Sequence, residues 1–172
     1  AQGSDTHLET TSYEAAGLAL AFGEDAAIRA VTNHGRNLPL LPVSGGFEVA
    51  EYAGAAKGAR KLAPSPALTD DGLMLSCEDG ALSLAVDVDE HAGHIALHGR
   101  LEKTTPGDRS FIVSFALPVN AWGWHWWDDP SLVRRIEYGV EYANYGFLGE
   151  GRDIPVSRMP FSAVACDAAR AG

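Results

Sequence analysis

Basic residues are scarce in this chain. Lysine and arginine together number 13 against 23 aspartates and glutamates, which leaves a formal net charge of −10. A nucleic acid or an anionic membrane surface calls for a basic face. The one basic cluster, Lys57, Arg60 and Lys61, is short and interrupted by glycine and alanine. No nucleic-acid partner is expected, while neutral ligands and cations are compatible with this balance. Cysteine is rarer still. Cys77 and Cys166 are the only two, with no C-x-x-C and no cysteine–histidine pattern at zinc-site spacing. Cys77 alternates in step with Leu73 and Leu75 and is expected to face a core; one disulfide or two buried thiols both fit.

Long apolar runs are also missing. The longest near the start, 15–22, is broken by Gly17 and is far too short to cross a bilayer. No basic stretch precedes it, as it would in a signal peptide. Membrane insertion is not expected. "AQGSD" at the start suits the end left by signal cleavage or a trimmed chain end. Catalytic signatures are absent as well. No G-x-S-x-G occurs, and "GEGRD" (149–153) lacks the Lys-Ser/Thr of a phosphate loop.

Helical periodicity is thin, and the period is two almost throughout. Leu18, Leu20 and Phe22 alternate with alanines. Leu82, Leu84, Val86 and Val88 alternate with Ser83, Ala85, Asp87 and Asp89. Ile95, Leu97 and Leu101 alternate with His94, His98, Arg100 and Glu102, and Phe111, Val113, Phe115 and Leu117 face one way. Each stretch reads as a half-buried strand. "TDDG", "CEDG", "DEHAG" and "TPGD" supply the reversals. Strands over 72–78, 81–88, 94–103 and 109–118 are expected to pair in order, preceded by a group at 16–22, 26–33 and 46–53. "PSP" (64–66) falls between the groups, since proline is excluded from sheet interiors. Two antiparallel groups, each with one apolar face, bury those faces together. The expected fold is all-β, an antiparallel β-sandwich of jelly-roll or meander type. One domain is expected over 1–165, with 166–172 a tail or linker. Short helices at "EDAAIRAV" (24–31) and "DDPSLVRR" (128–135) are the exceptions to weigh, and "IEYGVEY" (136–142) alternates like a strand.

Against these absences stands one concentration. All four tryptophans, Trp122, Trp124, Trp126 and Trp127, fall in "WGWHWW", and Asp128 and Asp129 follow at once. If that stretch stays extended, Trp122, Trp124 and Trp126 line one face about 6.8 Å apart, with His125 and Trp127 on the other. A row of indoles suits the flat C–H faces of sugar rings, with charged neighbours such as Asp128, Asp129 and Arg134 taking hydroxyls. The competing reading is a core plug, because tryptophan is usually well buried. Four in succession on an extended chain cannot all enter one core.

A second cluster is acidic. Asp87, Asp89, Glu90, His91 and His94 crowd one hairpin. Carboxylates there are candidates for calcium and the histidines for zinc, against the plainer reading of a solvated tip. No cofactor is required by any pattern. Asp128 and Asp129 do not form a glycosidase pair, because neighbours on a strand point apart and that chemistry needs two carboxylates facing one bond.

"NHGRNLPLLPVSGGFEV" (33–49), "DRSFIVSFALPVNAWGWHWWDD" (108–129) and "SRMPFSAVA" (157–165) together resemble β-sandwich accessory domains found beside bacterial glycoside hydrolase catalytic domains, including carbohydrate-binding modules. The resemblance implies a secreted, non-catalytic module that binds a polysaccharide or oligosaccharide, within a protein that also carries a catalytic domain. It supplies no catalytic residue. The alternatives are a structural module that packs against a catalytic domain, and a small polysaccharide lyase or hydrolase working through His94, His98 or Asp128.

Overall fold

The computed structural model describes residues 10–52, 58–129, 131–142, 146–147, 155–156 and 163–165. The fold is all-β and antiparallel throughout. The helical content among the described residues is a single 3-10 turn, Glu78–Gly80. No helix among them is long and apolar enough to cross a membrane. Where composition points to one domain over 1–165, the contacts divide the chain into two compact units, Ala1–Val119 and Asn120–Gly172.

In the first unit, β1 (Thr10–Ala15), β2 (Leu18–Gly23), β3 (Ile28–Asn33) and β4 (Arg36–Asn37) form one sheet in chain order. Two strands follow, β5 (Gly46–Tyr52) and β6 (Ala59–Lys61). Then β7 (Ser65–Thr69), β8 (Gly72–Cys77), β9 (Leu82–Glu90) and β10 (Ile95–Lys103) make a four-stranded meander. The last strand of the unit, β11 (Ser110–Ala116), does not extend that meander. It returns to β5, pairing Ser110 with Tyr52 through to Ala116 with Gly46, in a sheet ordered β11-β5-β6.

The period-two pattern builds the core. Leu82, Leu84, Val86 and Val88 on β9, Leu73, Leu75 and Cys77 on β8, and Leu20 and Phe22 on β2 are all buried in one cluster with Val31 and Val49. Cys77 is a free buried thiol, its pKa pushed up by burial and then by the charge of Glu78; Cys166 lies outside the described residues. Phe47 and Phe115 meet across the β5–β11 pair with ring centroids 4.7 Å apart and planes tilted by 44°, a cross-strand aromatic contact. Val113 and Leu117, expected on the same inward face, are exposed; β11 is an edge strand with β5 as its one neighbour.

Two local expectations are corrected. Pro66 does lie in a strand, opposite Leu75. That strand, β7, is at the edge of its sheet, where a missing N–H costs nothing in the ladder. Residues 24–31 contain a turn and then β3 rather than a helix. The reversal expected at "CEDG" forms, with Glu78–Gly80 as a 3-10 turn and Glu78 at φ 53°.

Glu78 is held there by charge. Arg109 grips it with two bonds, 2.7 and 3.0 Å, and also donates to Glu51 at 2.7 Å. Arg60 bridges the same two carboxylates at 2.6 and 3.0 Å. The network joins β5, β6, the 3-10 turn and the approach to β11. Arg109 first, and Arg60 second, hold the Glu51 carboxyl down at about 2 and the Glu78 carboxyl below its ordinary value. A depressed carboxylate contributes stability that is complete above its unfolded value, 4.5, and is lost as pH falls toward 2. Urea midpoints of the unmodified chain are therefore expected to fall between pH 4.5 and 2. Arg109→Ala should lower the midpoint at neutral pH and flatten that acid slope. An Arg109→Ala protein with the same slope would place the acid sensitivity elsewhere.

The second unit contains β12 (His125–Asp129), β13 (Leu132–Arg135), β14 (Gly146–Phe147), β15 (Pro155–Val156) and β16 (Ala163–Ala165). Strands β13, β12 and β16 form one sheet with β12 in the centre, and β14 pairs with β15.

Candidate functional site

The tryptophans belong to the second unit. The Trp122 N–H donates to Asn120 Oδ1 at 3.2 Å, and the Trp124 N–H donates to the Ala121 carbonyl at 2.9 Å. These bonds close a turn with Trp122 and Gly123 at its centre. Gly123 adopts φ 81°, the left-handed position that a type II turn reserves for glycine. The window is therefore not extended from end to end, and the three-indole row at even spacing does not form. Trp122 stands on the turn and is 69% exposed. The signal was present in the sequence: a lone glycine in an aromatic run is a break in the strand.

Extended pairing resumes at Trp124. Its carbonyl accepts the Ile136 N–H at 2.8 Å, while the Gly123 N–H donates to the Ile136 carbonyl at 2.9 Å. Along β12, Trp126 pairs with Arg134 on one side and Val164 on the other. Trp127 pairs with Val133 and Ala163, and His125 with Arg135 and Ala165. Alternation then places Trp126, Arg134 and Val164 on one face and His125, Trp127 and Val133 on the opposite face. None of the four tryptophans is buried; Trp124, Trp126 and Trp127 are half-buried. Most of the surface of these three indoles is covered, while that of Trp122 is open.

Trp126 anchors a small cluster. The Tyr142 ring lies 6.4 Å from it, centroid to centroid, at 46°. The Arg134 guanidinium sits 4.9 Å over the Tyr142 ring, within reach of a cation–π attraction. The Tyr142 hydroxyl donates to the Arg135 carbonyl at 2.7 Å and accepts from the Glu137 N–H at 3.0 Å. Both bonds fix the phenol in place. Arg134 was a candidate from its position in sequence; Tyr142 was not, because 136–142 alternates like a strand. That segment is instead irregular, with one turn at Tyr138 and Gly139 and Tyr138 92% exposed, and it brings Tyr142 back onto β13.

The aspartates enter differently. A bulge separates Trp127 from Asp129 in the β12–β13 pairing, and Asp129 pairs with Leu132. The chain reverses there into β13, so no helix begins at 128–135. Asp128 and Asp129 contribute described backbone only, and their side-chain roles lie outside the described residues. "GEGRD" and most of "SRMPFSAVA" also fall outside them. Leu132, Val133, Val140 and Val164 add exposed apolar surface to this unit.

The acidic hairpin is in the first unit. Asp87, Asp89 and Glu90 line one open groove together with Asp70 and Asp71. His91 and His94 stack on each other at 4.7 Å, the His91 N–H donating to the His94 carbonyl at 3.0 Å. His98 Nε2 lies 3.5 Å from the Asp89 carboxylate. Among the described residues no three of His, Cys, Asp and Glu are gathered as a metal ligand set.

No known family matches this chain. No curated protein and no solved structure matches it either.

Proposed function

We propose that this chain is a non-catalytic module that binds a polysaccharide through the tryptophan-bearing surface of its second unit, as part of a larger secreted polysaccharide-degrading protein. The observation that carries the reading is that none of the four indoles is buried, while Trp126, Tyr142 and Arg134 form a fixed aromatic and cationic cluster. Partly exposed rings, with Tyr142 fixed by hydrogen bonds through its hydroxyl, offer contact area at little ordering cost, which is what stacking on a sugar face needs. Arg134 beside them supplies donors for hydroxyls.

The exposed Leu132, Val133, Val140 and Val164 favour a second reading, a face that packs against a catalytic domain. Intrinsic tryptophan emission separates the two, because every tryptophan lies in the second unit. Titration with soluble polysaccharides is expected to give a saturable shift with one glycan class. Trp126→Ala should weaken that binding by about 2 kcal/mol or more, and Trp122→Ala, on an exposed turn, should do so with no loss of folding. Emission indifferent to every glycan, with concentration-dependent self-association, would hand the surface to the packing role.

A further inference from the structure

The acidic groove of the first unit has a feature that the tryptophan reading does not use. Its space is about 600 Å³, and five carboxylates line it: Asp70, Asp71, Asp87, Asp89 and Glu90. Asp70 and Asp71 come from the turn between β7 and β8, and the other three from the end of β9. The two segments are tied by pairing of Gly72 with Asp87 and by the Val88 N–H bond to the Asp71 carbonyl at 2.9 Å. Among the lining residues there is no lysine or arginine.

Tyr13 completes the lining. It is only 8% exposed, its ring set edge-on against Phe22 at 6.1 Å. Its hydroxyl is buried and has no hydrogen-bond partner. A buried hydroxyl normally finds one, because leaving it unmade forfeits its hydration. Burial, then the charges of Asp71 and Glu90, raise the phenol above its ordinary value. So the hydroxyl sits within the field of two carboxylates and bonds to neither. Glu90 already receives the Glu14 N–H, yet a carboxylate accepts several donors.

We infer that this groove binds an alkylammonium ion, with Tyr13 Oη, Asp71 and Glu90 accepting its three N–H donors and Asp70, Asp87 and Asp89 meeting further positive charge along a polyamine chain. The chemistry matches in number and in kind. An ammonium carries three donors and no acceptor, and the lining offers the Asp71 and Glu90 carboxylates together with the unpartnered Tyr13 hydroxyl. A directly bound calcium would need a tight set of six or more oxygens, and no such set is gathered among the described residues. An ammonium tolerates the looser spacing of an open groove.

Calorimetric titration of the full chain with spermidine tests the assignment. Saturable binding is expected, weakened about ten-fold in Tyr13→Phe, the loss of one charge-assisted hydrogen bond. Tyr13→Phe removes a hydroxyl that has no partner, so its thermal midpoint should be unchanged or higher, and folding does not confound the result. Asp71→Asn should weaken binding more than Glu102→Gln, a carboxylate that pairs with Arg100 outside the groove. Four results would each overturn the proposal: no saturable heat, Tyr13→Phe binding as tightly as the unmodified chain, equal losses in Asp71→Asn and Glu102→Gln, or calcium saturating the groove at lower concentration than spermidine.

Discussion

Phe22→Ala is expected to cost about 3–5 kcal/mol of stability. Phe22 is fully buried on β2, opposite Thr11 of β1 and Ile28 of β3, and it carries the edge-on Tyr13 ring. Removing it takes away the largest fully buried side chain among the described residues and opens a cavity beneath a sheet whose backbone is pinned on both sides. Small domains hold only about 5–15 kcal/mol in total, so the variant should be close to unfolded at physiological temperature. Urea unfolding followed by far-ultraviolet circular dichroism measures it. Phe22→Leu, which keeps most of the volume, should recover most of the loss. A Phe22→Ala cost below about 1 kcal/mol would mean that the sheets close over the gap, at odds with a rigidly packed interior.

Gly72→Ala should be damaging, with the closest backbone approach to an added methyl among the described glycines. A Cβ at this position would come 2.0 Å from the Val86 carbonyl oxygen, 3.0 Å from its carbon and 3.1 Å from Asp87 Cα. These are backbone atoms of the partner strand, not the ends of side chains that could swing away. Either β8 moves off β9 or the pairing breaks, and both disturb the centre of the meander. The expected loss is about 3 kcal/mol or more, at the high end for overpacking. Gly93→Ala is the control: nothing lies within 4 Å of its Cβ and its backbone is not left-handed, so stability should hold or rise slightly. Matching midpoints for the two variants would show that the β8–β9 contact yields easily. Because Gly72 adjoins Asp71, a Gly72→Ala chain that does fold should also bind spermidine less well.

Elements with strict alternation were legible in the sequence. Strands β8, β9 and β10 follow the runs around Leu73, Leu82 and Ile95 within a residue or two, because burial on one face forces the period. Strand β1 was not legible: of "TTSYEA" only Tyr13 is large and apolar, and its burial with Ala15 comes from packing that no pattern announces. The partner of β11 was equally hidden. Alternation says which face of a strand is apolar but not which edge it joins, and chain order pointed to β10 rather than β5. In the candidate site, the tryptophans and Arg134 were visible by composition and proximity, whereas Tyr142 arrives through a turn. The acidic residues on β9 were visible too. Their companions Asp70, Asp71 and Tyr13 were not, since the groove is assembled from three separate stretches of chain.

The return of β11 to β5 also orders events in time. Hairpins such as β8–β9 close between residues a few positions apart, but β5 must wait until the whole meander has been threaded before its partner arrives. Distant closures carry the larger entropy cost and set the pace of folding. The four-strand meander is thus the natural nucleus, and the β5–β11 pairing is a late step. Arg109, just ahead of β11, reaches Glu51 and Glu78 only at that stage. The Arg109 bonds are accordingly expected to act as a latch on a finished fold, and Arg109→Ala should speed its opening more than it slows its formation.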